Sequence, residues 1–148
     1  MKKFSTYLVL AVLGVAAVGC SDDSDDNTAA PSKTSMLTAK TWRISDSKIS
    51  GVSIFSLLDD CDKDDDLKFN ASKTLTYTAN TKCDPSEPTT QSGTWELLSN
   101  DTQLRFTDPD GTLRTVTVTT LNSTTLTVSG TEDFGGQQVP AELTFTAR

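Results

Sequence analysis

The sequence predicts an all-β chain folded as an antiparallel up-and-down β-barrel of about eight strands, and three observations predict it. Apolar side chains fall on alternate positions in eight separate runs, threonine or a charged residue stands between them, and turn-forming residues separate the runs. Alternation with period two gives each run one buried and one wet face. Residues branched at Cβ favour the extended backbone. Strands that follow one another in order close into a barrel, which also removes the exposed sheet edges.

The first 35 residues stand apart from this pattern. Lys2 and Lys3 precede an apolar run, Tyr7 to Val18, of twelve residues. That is too short for a helix to cross a hydrocarbon layer of about 30 Å, so residues 1–19 read as a signal peptide. Ala17-Val18-Gly19-Cys20 resembles the lipobox of bacterial lipoproteins. The resemblance implies that Cys20 carries the acyl chains, palmitate among them, and becomes the new N-terminus. Residues 21–35, SDDSDDNTAAPSKTS, hold no large apolar side chain. With nothing to bury, residues 20–35 read as a lipidated cysteine and disordered acidic tether, reaching on the order of 20 Å. The acidic run after Cys20 resembles the surface-export signal of Bacteroidota lipoproteins, which implies the outer membrane and its outer face.

Residues 36–148 suffice for one domain with one core. Trp42 and Ile44 open the alternation; Leu67 and Phe69, then Leu75 and Tyr77, continue it. Trp95 and Leu97, Leu104 and Phe106, Val116 and Val118, Leu126 and Val128, and Leu143 and Phe145 complete the eight runs. Turn chemistry lies between them at Asn70-Ala71-Ser72-Lys73, Ser99-Asn100-Asp101, Asp108-Pro109-Asp110-Gly111 and Gly135-Gly136. One segment breaks the rhythm: Ile49 to Asp66 is long for a hairpin connection and holds Ile54, Phe55, Leu57 and Leu58 in a block. That spacing suits either a short amphipathic helix on the barrel mouth or an ordinary packed strand extension.

Leu37-Thr38-Ala39-Lys40-Thr41-Trp42 resembles the L-x-G-x-W opening of lipocalin-like domains. Asp59-Asp60-Cys61-Asp62-Lys63-Asp64-Asp65, the stretch Phe69-Asn70 to Tyr77, Lys82-Cys83-Asp84-Pro85 and Gly93-Thr94-Trp95 resemble the pattern of lipocalin-like lipoproteins from Bacteroidota. The resemblance implies a ligand-carrying barrel whose opening tryptophan caps the floor. It covers Leu37 to about Leu104 by motif and the remainder by strand rhythm.

Composition excludes several function classes. Of 13 basic and 20 acidic side chains, two lysines fall in the signal segment, leaving 11 against 20 and a charge of −9. A chain this acidic repels phosphate backbones, so no nucleic-acid partner is expected. There is no histidine, which removes Ser/His and Cys/His nucleophile pairs. The spacing of Glu96, Glu132 and Glu142 selects no acid–base couple. Neither an enzyme nor a cofactor is expected.

With Cys20 lipidated, Cys61 and Cys83 are left in an exported chain and should pair. Asp60, Asp62 and Asp64 repeat the D-x-D-x-D spacing of calcium loops, but Asp65 and Ala71 stand where an EF-hand needs glycine and glutamate. A disulfide-tied acidic corner is the simpler reading. Trp42, Phe69, Tyr77, Trp95, Phe106 and Phe145 share the inward register, where they line a cavity or fill it; the size of the inward side chains favours filling. The expected partners are therefore a membrane reached through the lipid and, for a monomeric barrel, one of two classes. Either a small apolar ligand is held by Ile54, Phe55, Leu58, Tyr77 and Trp95, or a solid barrel meets another envelope protein or a glycan.

Overall fold

The computed structural model describes residues 30–148, so the signal segment, Cys20 and the tether as far as residue 29 lie outside the described residues. Helical structure is present before Met36, where the domain was expected to begin. The Ser32 hydroxyl caps helix α1 (Lys33–Ala39), accepting from the Ser35 N–H at 3.1 Å. Leu37 is fully buried. The Lys68 ammonium donates to the carbonyls of Thr38 at 2.8 Å and Lys40 at 3.1 Å, and Lys33 donates to that of Asp101 at 2.9 Å. Residues 33–35, expected to belong to the tether, are therefore part of helix α1. Composition hid this helix because tertiary contacts, not propensity, hold so short an element.

Nine strands follow: β1 (Thr41–Ile49), β2 (Val52–Ser53), β3 (Asp66–Phe69), β4 (Thr74–Thr78), β5 (Thr90–Leu98), β6 (Gln103–Thr107), β7 (Leu113–Leu121), β8 (Thr125–Phe134) and β9 (Gln137–Ala147). Eight of them pair antiparallel in the order β1-β3-β4-β5-β6-β7-β8-β9, and β9 returns to β1. The result is a closed eight-stranded barrel; β2 is a two-residue hairpin appended to β1. Closure runs from Trp42↔Ala147 to Ile49↔Ala141, with a bulge at Ser45 that turns Ser47 inward opposite Leu143. A second bulge, at Thr119, lets Leu121 face Leu126.

One end of the barrel is packed solid. Leu37, Trp42, Phe69, Leu75, Trp95, Leu104 and Leu126 are all buried there. The Trp42 indole N–H donates to the Leu37 carbonyl at 3.0 Å, joining α1 to the floor. Phe69 and Trp95 meet edge to face with centroids 5.4 Å apart. Lys73 takes up a left-handed backbone, φ 67°, and lays its ammonium 4.1 Å over the Trp95 ring, offsetting part of the cost of that conformation.

Candidate functional site

Away from the floor the barrel is hollow. A cavity of about 280 Å³ lies among Leu67, Phe69, Tyr77, Phe106, Val116, Val128, Leu143, Phe145 and their neighbours. The core expected to be filled is not. Gly130 and Ala141 are paired neighbours on β8 and β9, so the inward layer next to Val128 and Leu143 carries no large side chain from either strand. A third inward position, Gly93 of the Gly93-Thr94-Trp95 motif, has a different reason. A Cβ there would overlap the Thr107 carbonyl oxygen and stand 3.2 Å from its carbon, so only glycine lets β6 pass.

Tyr77 lines the cavity, and its hydroxyl donates to the same Thr107 carbonyl at 2.9 Å. Burial, and then the Asp108 carboxylate, push its acidity well below that of a free phenol. Three charged side chains form the polar part of the wall. Arg114 binds the Asp108 carboxylate through Nε and reaches both Glu132 oxygens with Nη1 at 3.1 Å. The bond to Asp108 is the main reason the guanidinium holds its proton still more firmly than usual. This triad escaped the sequence reading, although Arg114 stands in phase with Val116 and Val118, and Glu132 with Leu126 and Val128.

Of the other expected ligand-binding residues, Trp95 belongs to the floor beside Phe69. Ile54, Phe55 and Leu58 do not line the cavity. Their segment is a 3-10 turn (Phe55–Leu57) rather than a mouth-covering helix. It lies against β1, where the Ile54 N–H donates to the Ser47 carbonyl at 2.7 Å. Because β1 pairs with β3 only from Thr41 to Arg43, that carbonyl would otherwise sit on an open seam, and satisfying it decides where the segment goes.

The acidic corner is tied as expected by a Cys61–Cys83 disulfide, Cα–Cα 5.4 Å. The three calcium candidates do not converge. Asp60–Lys63 coils into a helical turn, α2, in which Asp60 and Asp62 point apart. Asp60 pairs with Lys63 at 3.0 Å, Asp62 Oδ1 lies 3.4 Å from the disulfide sulfur of Cys83, and Asp64 is held by the Thr81 hydroxyl at 2.6 Å. Cys61, Asp62 and Cys83 do cluster, but both sulfurs are spent in the disulfide. Asp65 Oδ1 is buried with no hydrogen-bond partner; burial first, then Asp64 and Asp62, raise its pKa to about 6.

A family model described as a lipocalin-like domain matches residues 38–128, from the end of α1 into β8. No curated protein matches the chain significantly.

Proposed function

Since the chain belongs to the lipocalin-like domain family, whose members are in general non-enzymatic binding proteins, we propose that it holds a small apolar molecule inside its barrel. The observation that carries this reading is the cavity of about 280 Å³. An apolar cavity of about 150 Å³ accepts benzene, so this one has room for a two-ring compound or a short alkyl chain. Its walls are aliphatic and aromatic on most sides, with polar groups confined to the Arg114 triad, as small-molecule sites generally are. A solid barrel that only presents its outer surface to an envelope protein or glycan has no use for such a void.

In the same reading the domain is displayed on the bacterial surface by lipid on Cys20, a proposal that rests on Lys2-Lys3, the short apolar run and Gly19-Cys20. Replacing Cys20 by serine then moves the protein out of the membrane fraction, and an unchanged membrane pool removes the anchor. For the cavity, an uncharged naphthalene-based fluorophore should brighten saturably with the parent protein. It should fail to do so with Val128→Phe, which fills the space from a position that is already buried. Absence of saturable uptake by the parent rejects the reading.

A further inference from the structure

The barrel wall is split on one side. Backbone pairing between β7 and β8 runs from Leu121↔Leu126 to Thr117↔Ser129 and stops, although β7 continues to Leu113 and β8 to Phe134. Each half stays paired on its other edge, β7 to β6 and β8 to β9. A second cavity, of about 190 Å³, occupies the split. Consecutive residues line it, among them Thr115 beside Val116 and Thr131 beside Gly130. Because neighbours along a strand face opposite sides of a sheet, this lining belongs to a slot that passes through the wall. The slot and the internal cavity share Arg114, Val116, Val128, Glu132 and Leu143.

Resting on the binding reading above, we propose that the β7–β8 slot seats the polar end of the ligand and that this end is cationic, an ammonium group that takes Arg114's place on Glu132. The charged side chains at the junction are Asp108, Glu132 and Arg114, two carboxylates against one guanidinium. Both carboxylates already engage the arginine, which leaves no free cation for an acidic ligand and a surplus negative charge for a basic one. The Arg114–Glu132 pair spans the split and is exposed, with side-chain exposures of 38% and 49%. Ion pairs of that exposure are weak and open readily. Asp108, only 19% exposed, keeps Arg114 in place when Glu132 is released. Leu113, one residue before Arg114, and Phe134, two after Glu132, are apolar and exposed, so the outer lips of the slot suit an amphiphile on its way in.

The test is displacement of the uncharged naphthalene fluorophore by octylamine, octanol and octanoate at neutral pH. Octylamine should compete at least tenfold better than octanoate, with octanol between them. Glu132→Gln should weaken octylamine about tenfold more than it weakens octanol, whereas Arg114→Gln, which frees Glu132, should strengthen octylamine. Octanoate competing as well as octylamine, or octylamine indifferent to Glu132→Gln, overturns the cationic head group while octanol binding keeps the cavity. If neither octanol nor the fluorophore binds, the cavity reading and this proposal fall together.

Discussion

Replacing Gly93 by alanine inserts one methyl group into the crossing of β5 and β6. The new Cβ overlaps the Thr107 carbonyl oxygen, and backbone, unlike the far end of a side chain, cannot rotate away. Overpacking of this kind costs about 1–3 kcal/mol. The same oxygen accepts the Tyr77 hydroxyl at 2.9 Å, so moving it also weakens a half-buried hydrogen bond contributing about 1 kcal/mol. Together the loss is about 2–4 kcal/mol, a large share of the 5–15 kcal/mol typical of a domain. For a domain of this size it lowers the melting temperature by roughly 10 °C. Gly130→Ala is the matched control, since its Cβ meets only Val116 Cγ1 at 3.4 Å, an ordinary contact. Thermal melting followed by Trp fluorescence, with urea titration for the free energies, reads both variants. Equal stability of the two, or a Gly93→Ala loss under about 0.5 kcal/mol, would show that β6 does not need the glycine.

Replacing Cys61 and Cys83 by serine should cost about 3 kcal/mol in urea titrations, the chain-entropy value for a sequence separation of 22 residues. Asp65, with its folded pKa raised to about 6, favours the folded state when protonated. Its destabilising effect is therefore absent below the unfolded value near 4, builds as pH rises and is complete above about 6; Asp65→Asn should raise the melting temperature at pH 7 and leave it nearly unchanged at pH 4. Replacing both Phe55 and Leu58 by serine should destabilise the domain by about 1–3 kcal/mol through lost packing while leaving fluorophore affinity unaltered, because neither side chain lines the cavity. A drop in affinity without a drop in stability would restore the flap.

What was legible in the sequence was what repeats with period two. Trp42, Phe69, Leu75, Trp95, Leu104 and Leu126 all lie in the buried cluster, because any residue in phase with its strand must face the axis. The bulges at Ser45 and Thr119 were not legible, since each inserts a residue that reverses the phase; Ser47 faces inward for that reason and is buried. Ile54, Phe55 and Leu58 misled because an apolar block announces burial without saying against what. Their location follows from the Ser47 carbonyl on β1, which accepts the Ile54 N–H where β3 no longer pairs with β1, a fact of strand pairing. The hollow went unforeseen for a related reason. Large inward side chains promise a filled core only if every layer carries them, and the Gly130–Ala141 layer does not. Arg114 and Glu132 were detectable as charges in an inward phase, but the split that makes them neighbours lies in strand pairing.

The measurement that bears most directly on a hollow, ligand-holding barrel is a crystal structure of the protein soaked with naphthalene. The compound should appear inside the barrel, in contact with Phe69, Tyr77, Phe106 and Phe145, with the floor around Trp42 and Trp95 undisturbed. A barrel whose side chains close over the same space, leaving naphthalene excluded or bound only outside, would contradict the account.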